Sequence, residues 1–167
     1  GTSALIAAAV VVCDCFGLPA PHSAVVGDIG NGQGSTALYR TLRHYIPQAN
    51  PRVVALHYIM PDVYHHEEVL HAVQAMAERP LLIADAGFMY VAKMSGYAPQ
   101  YEVFTPDLGE LAFLADGEAP HPFYTRGFIV PQEDRAAELI RMAYEGECAT
   151  KYLLVKGKRD YVCRDGV

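Results

Sequence analysis

Two carboxylates stand three residues apart in the segment YEVFTPDLGELAFLA, which covers residues 101–115. Thr105-Pro106 ends a β-rich run, and apolar residues then recur at helical spacing, so Asp107 and Glu110 fall on the first turn of a predicted helix. Side chains on one helix face can hold a hydrated Mg²⁺ or a water molecule together. The same spacing also fits an N-capping aspartate followed by a capping-box glutamate. Spacing alone favours neither interpretation.

A glycine-rich stretch, GDIGNGQGS at residues 27–35, is a second candidate site. Glycines ahead of a helix let backbone N–H groups approach an anion, which makes a phosphate cradle one interpretation. The glycine spacing fits neither the P-loop nor the G-x-G-x-x-G dinucleotide pattern, so ordinary turn chemistry is the alternative.

Polar residues also follow two almost continuously apolar runs, VVALHYIM (53–60) and PLLIAD (80–85). Such runs are typical of parallel strands buried on both faces, and ligands bind at the carboxyl ends of such strands. We therefore expect His57, Asp62 and Asp85 to gather with Asp28 and the 27–34 loop around one cleft. The alternatives are a satisfied core histidine for His57 and a helix N-cap for Asp62.

The elements that must position these residues alternate along the chain. A buried helix is predicted over the apolar run 2–18, and later helices cover 64–77, 87–94 and the segment after Pro131. Because right-handed crossovers place helices on the faces of a parallel sheet, the pattern predicts an α/β fold with a doubly covered, mainly parallel sheet. The expected parallel strands lie near 24–29, 53–59, 81–85, 101–105 and 151–156, with an antiparallel hairpin strand at 160–163.

Composition limits the possible partners. The chain has 167 residues, 51% of them hydrophobic, and a formal net charge of -6. Its basic residues are scattered, which argues against nucleic acid or an anionic membrane surface as a partner. The apolar run 4–12 is too short to span a bilayer and follows no basic region, so we expect a cytoplasmic protein without a signal peptide.

The cysteines and two neighbouring histidines give no metal pattern. Cys13, Cys15, Cys148 and Cys163 lack zinc-site spacing, and we expect them to be buried free thiols. His65 and His66 fall in the first turn of a predicted helix, and we expect both to be solvated.

Three short segments resemble one known family. Residues 105–111, Thr-Pro-Asp-Leu-Gly-Glu-Leu, resemble the Thr-Pro-x-x-x-Glu segment of the ribokinase-like superfamily. Their Gly-Glu-Leu part follows the form found in ADP- or ATP-dependent NAD(P)H-hydrate dehydratases, although Asp107 replaces the usual first Asn or His. Asp85-Ala86 resembles that family's Asp-Ala segment, and Val155-Lys156-Gly157 resembles its Val-x-Lys-Gly strand. The likeness spans roughly residues 23–167.

The resemblance implies a single ribokinase-like domain, a three-layer α/β/α sandwich, and a nucleotide-dependent enzyme. In such dehydratases ATP or ADP phosphorylates a hydroxyl of the hydrated nicotinamide ring, and loss of phosphate restores the double bond. Glu110 with Asp107 would hold Mg²⁺, and Lys156 and Gly157 would approach the nucleotide phosphates. The substrate would be faced by Asp28, Asn31, Ser35, His57, Asp62 and Asp85.

One part of the family pattern is missing from these residues. The family's Gly-Thr-Gly-Asp motif, which supplies its anion hole and catalytic base, does not occur in the sequence. This predicts either a C-terminally shortened domain or a protein that binds without turnover. A sugar or other small-molecule kinase and a non-catalytic ligand-binding protein of the same fold are therefore the alternatives. The expected partners are a nucleotide and a small-molecule substrate, with a homo-oligomer possible.

Overall fold

A computed structural model of the chain describes residues 1–121 and 133–166. These residues contain six α-helices and five β-strands. The helices are α1 (Thr2–Cys15), α2 (Gln33–Ala49), α3 (Val63–Gln74), α4 (Ala86–Met94), α5 (Leu108–Ala115) and α6 (Ala136–Glu145). The strands are β1 (Val53–Leu56), β2 (Leu81–Ala84), β3 (Val103–Phe104), β4 (Tyr152–Val155) and β5 (Tyr161–Arg164). Strands and helices alternate from β1 to α5, and α6, β4 and β5 then follow.

The five strands form one sheet in the order β1-β2-β3-β4-β5. The first four are parallel, and β5 pairs antiparallel with β4 as a hairpin. The backbone N–H of Thr105 donates to the carbonyl of Ala84 at 3.2 Å, so Asp85 and Thr105 lie at the same end of the sheet. The prediction of a mainly parallel α/β sheet with a C-terminal hairpin is therefore confirmed.

The two faces of the sheet differ in burial. One face carries side chains that are at most 1% exposed: Leu82, Ala84, Phe104, Leu153 and Val155. The other carries exposed apolar side chains, with Val53 49%, Leu81 53%, Leu154 39% and Val162 76% exposed. Consecutive strands are neighbours, and the right-handed rule for crossovers places the connecting helices on one side, which agrees with this difference in burial. The described residues thus form two layers, and a third layer stays a prediction.

The N-terminal part departs from expectation in two ways. α1 forms where a helix was predicted, but none of its residues is buried, so its predicted burial is wrong. The strand predicted at 24–29 is also wrong, because residues 18–29 form no regular element and their side chains are exposed. The reason is local, because the N–H and hydroxyl of Ser35 in α2 donate to the Asp28 carboxylate and hold this segment against the start of the helix.

Several strands are shorter than predicted. β1 ends at Leu56, because the carbonyl of His57 accepts from the N–H of Phe88 at the start of α4. β3 has only two residues, since a 3₁₀ turn at Ala98–Gln100 precedes it. The expected helix start at Pro131 lies outside the described residues.

His66 is buried rather than solvated, and that expectation is wrong. The side chain has 0% exposure, with Nε2 2.8 Å from the Tyr101 hydroxyl and Nδ1 3.1 Å from the Ser95 hydroxyl. The cysteines are free, but only Cys163 is buried, and Cys15 is exposed. Among the described residues, no helix is both long and apolar enough to cross a membrane.

Candidate functional site

Asp28 organises the glycine-rich loop. Its Oδ1 accepts from the N–H groups of Gly30 and Gly32, and its Oδ2 accepts from the N–H and hydroxyl of Ser35, all within 3.0 to 3.1 Å. These bonds, led by the Ser35 N–H, lower the pKa of Asp28 to about 2. The carboxylate therefore satisfies the backbone donors at the start of α2, which is the turn-chemistry interpretation of this loop.

The remaining loop candidates sit beside this cap. Asn31 Oδ1 accepts from the N–H of Gln33 at 3.2 Å, and the Ser35 hydroxyl accepts from the N–H of Met60 at 3.0 Å. Asn31 and Asp62 also line an open groove of about 470 Å³. The other lining residues are Gly32, Gln33, Thr36, Ala37 and Arg40.

Asp62 is the N-cap of α3, as the alternative interpretation held. Its Oδ1 accepts from the N–H of His65 at 3.1 Å, and its Oδ2 lies 2.8 Å from Nδ1 of the same residue. Partial burial works against ionisation, but the N–H and imidazole of His65 lower the pKa of Asp62. The carboxylate thus holds the first turn of the helix and one histidine.

A second group forms where β1, β2 and β4 end. Asp85 Oδ1 accepts from Nζ of Lys156 at 3.1 Å, and Asp85 Oδ2 lies 3.4 Å from Nε2 of His57. The Nδ1 atom of His57 is 2.9 Å from the hydroxyl of Thr2 in α1. The side chains of His57 and Asp85 are 15% and 24% exposed, whereas that of Lys156 is 47% exposed. We name these four residues the hydroxyl–histidine cluster.

The turn after Asp85 is strained and tightly packed. Ala86 has φ +48°, a left-handed conformation that costs a non-glycine residue roughly 1–2 kcal/mol. Gly87 has no room for a side chain, because an added Cβ would overlap the carbonyl oxygen of Ile59. Strain of this kind collects at functional sites when the surrounding structure enforces it. The turn presents Asp85 in the extended conformation at the edge of the sheet.

Asp107 and Glu110 form a capping box at the start of α5. Asp107 Oδ1 accepts from the N–H of Glu110, and Glu110 Oε2 accepts from the N–H of Asp107, both at 2.8 Å. Glu110 Oε1 accepts from the Tyr90 hydroxyl at 2.9 Å, so both carboxylate oxygens have partners. The capping-box alternative is therefore confirmed, and the Mg²⁺ interpretation stays a prediction.

Electrostatics link the capping box to Asp85. Glu110 is 8% exposed, and burial raises its pKa, with the charges of Asp107 and Asp85 adding to the rise. The backbones of Asp107 and Lys156 also pair in an isolated parallel β-bridge, which sets these two residues side by side along the sheet. The described residues hold no group of three His, Cys, Asp or Glu side chains that could bind a metal ion. The arrangement thus offers three carboxylates, an ammonium group and an imidazole at the carboxyl ends of the strands.

Sequence reasoning missed two partners in this region. Thr2 gave no signal because it opens an apolar helix, and Tyr90 lies among apolar residues of α4. Gly157 donates its N–H to Asp160 at 3.1 Å within the hairpin turn, and its approach to a phosphate stays a prediction. Of the candidates, His57, Asp85 and Lys156 are brought into direct contact, whereas Asp28 and Asn31 serve the start of α2.

Comparison with known proteins gives one relative. The chain is 40% identical over 140 residues to an uncharacterized protein of Methanocaldococcus jannaschii. That match covers 83% of this chain and 55% of the relative, so the chain spans about half the length of the relative. No family model matches the sequence. No solved structure matches it either.

Proposed function

We propose that this chain carries the nucleotide-facing part of an enzyme that phosphorylates a hydroxyl of a small molecule, resembling NAD(P)H-hydrate dehydratase. The observation that carries the proposal is the ion pair of Lys156 with Asp85 at the carboxyl ends of parallel strands, where the backbone of Lys156 also pairs with that of Asp107. Open α/β sheets bind ligands at that edge. The motif resemblance of the same three segments adds independent support.

The chemistry needs charge stabilisation and positioning more than covalent participation. Phosphoryl transfer requires Mg²⁺ to bridge phosphate oxygens and a cation for the developing negative charge. Lys156 is half-exposed, so its ammonium group can turn from Asp85 toward a phosphate. Asp107 and Glu110 would hold hydrated Mg²⁺ from the start of α5. ATP or ADP is the proposed co-substrate.

Titration of ATP and ADP with Mg²⁺ by calorimetry tests the nucleotide site. We expect Lys156→Ala to weaken binding about 10- to 100-fold, because a charge-assisted hydrogen bond to phosphate contributes roughly 1.5–3 kcal/mol. Glu110→Gln should weaken the Mg²⁺-dependent part of binding, since glutamine can still complete a capping box but carries no charge. Catalysis is followed separately, by the return of dihydronicotinamide absorbance from hydrated NADH.

Lys151→Ala is the matched control, because Lys151 immediately precedes the opposite end of the same strand, β4. Its removal changes net charge equally and should leave nucleotide affinity within about twofold. If neither Lys156→Ala nor Glu110→Gln changes the nucleotide affinity, the nucleotide binds elsewhere and the 105–111 motif is only a helix cap.

A non-catalytic ligand-binding protein is the second candidate. Both carboxylate oxygens of Glu110 already accept hydrogen bonds, from Tyr90 and Asp107, which favours a structural role for that residue. On this view nucleotide or small-molecule binding would occur without return of absorbance. A sugar or other small-molecule kinase would instead consume ATP with a hydroxyl acceptor and show no dehydration.

The same proposal includes a third layer over the open face of the sheet, completing the ribokinase-like sandwich. Support comes from the exposed apolar side chains there and from the relative, which is nearly twice as long as the matched segment. Parallel sheets occur almost only with both faces covered.

A hydrophobic dye tests this third layer. We expect the 167-residue chain to bind the dye, and Leu154→Lys with Val162→Lys to reduce dye fluorescence at a cost within about 0.5 kcal/mol each. The full-length M. jannaschii protein should bind less dye than its matched segment alone. A loss of several kcal/mol on either substitution would show that the face is already packed.

A further inference from the structure

The hydroxyl–histidine cluster contains a hydroxyl, an imidazole and a carboxylate in series. Thr2 Oγ1 lies 2.9 Å from Nδ1 of His57, and Nε2 of the same ring lies 3.4 Å from Asp85 Oδ2. A base beside a hydroxyl, with a third group orienting the base, is the arrangement by which proteins activate oxygen nucleophiles. Asp85 is fixed in turn by Lys156 and by the strained turn at Ala86.

We propose that His57 is the general base that removes the proton from a substrate hydroxyl, with Asp85 as its positioning residue. This inference rests on the proposed function, which supplies the phosphoryl donor. The carboxylate facing Nε2 favours a proton on that nitrogen, which leaves the lone pair of Nδ1 free to accept a proton from a hydroxyl. Thr2 then occupies the position that the substrate hydroxyl takes.

The position of Thr2 is easily vacated. α1 buries none of its residues, so its first turn can move from His57 with little loss of apolar contact. His57 itself is held more firmly, because its carbonyl accepts from Phe88 N–H and its side chain is only 15% exposed.

The proton and the phosphoryl group each have an acceptor in this arrangement. The substrate O–H proton moves to Nδ1 of His57, and the hydroxyl oxygen bonds to the terminal phosphorus of the nucleotide. The bond from that phosphorus to its bridging oxygen breaks, and the shortened nucleotide leaves with the electron pair. Asp85 stabilises the imidazolium that forms, and the proton then passes to solvent. Lys156, displaced toward phosphate, no longer neutralises Asp85 at that moment.

The tautomer of His57 is the first test, because it requires no nucleotide. Nitrogen chemical shifts of the histidine rings should show the neutral His57 ring with its proton on Nε2. Asp85→Ala, or Asp85→Asn if the alanine variant does not fold, should reduce that preference, whereas exposed His44 should not respond. A wild-type His57 with its proton on Nδ1 would overturn the proposal, since no lone pair would face the hydroxyl.

Turnover is the second test, using hydrated NADH with ATP or ADP and Mg²⁺. We expect His57→Ala to lower kcat by a factor of about 10² to 10⁴, and added imidazole to restore part of it. Thr2→Val should lower KM up to about fivefold, because a competing hydrogen bond is removed. A loss that imidazole does not relieve would contradict proton transfer by His57. If His57 shows the expected tautomer but the chain binds no nucleotide, the result would count against the proposed function and would support His57 as a base.

Discussion

Lowering the pH from about 7 to about 4 will reduce the free energy of unfolding by about 3 kcal/mol through His66 alone. Burial lowers the pKa of this histidine from 6.5 to about 4, and the nearby charge of Glu67 only partly opposes the shift. The unfolded chain takes up a proton below about pH 6.5, whereas the folded protein resists until about pH 4. The stabilisation is therefore complete above pH 6.5 and is lost as the pH falls through that window.

Urea unfolding across this range, compared with His66→Gln, isolates the effect. Glutamine can still reach the Tyr101 and Ser95 hydroxyls but does not titrate. The comparison also removes contributions of other groups, such as Glu110, whose raised pKa makes stability rise as the pH falls. His44→Gln is the surface control and should keep the wild-type slope. Parallel pH profiles for wild type and His66→Gln would refute the assignment.

Gly87→Ala will cost about 3 kcal/mol of folding free energy, although alanine is the better helix former by about 1 kcal/mol. The new methyl group would overlap the carbonyl oxygen of Ile59 and lie 2.7 Å from its nitrogen. Both are backbone atoms that cannot rotate away. The segment 57–61 must then shift, so the contact of His57 with Asp85 should loosen as well. Thermal unfolding and the His57 ring signals report the two effects.

Ala86→Gly provides the matched control one residue earlier. Glycine relieves the φ of +48° at that position, so this variant should be more stable by about 1 kcal/mol, opposite in sign to its neighbour. A stabilising Gly87→Ala would mean that helix propensity outweighs packing and that α4 does not press against residue 59.

The sequence predicted the part of the site that depends on strand order. His57 and Asp85 each follow an apolar run, and parallel strands bring their carboxyl ends to one edge, so they were expected to meet. Lys156 was expected beside Glu110, and its ion pair with Asp85 was not predicted. The spacing of Asp107 and Glu110 likewise predicted a capping box as one of two interpretations. Such features depend on the spacing of residues along the chain, which is the same before and after folding.

Features that depend on tertiary placement were not predictable in the same way. The apolar run 24–29 was expected to form a strand. Instead, Asp28 in this run accepts four hydrogen bonds from the groups that lead into α2. The contact of Thr2 with His57 joins residues 55 positions apart and leaves no local pattern. His66 did carry a signal: it shares its helical phase with Val69, Leu70 and Val73, all of which are buried.

The order β1-β2-β3-β4-β5 has a consequence for how the chain folds. Each strand pairs with the next one along the chain, yet the parallel pairs still close long segments, such as the one from Phe104 of β3 to Tyr152 of β4. Parallel pairing across such segments is slower than the formation of local hairpins and helices, and this order lets the chain add one strand–helix unit at a time. The β4–β5 hairpin closes one side of the sheet with the shortest loop. We expect hydrogen exchange to reveal nested opening units that follow the sequence, with α1 exchanging first.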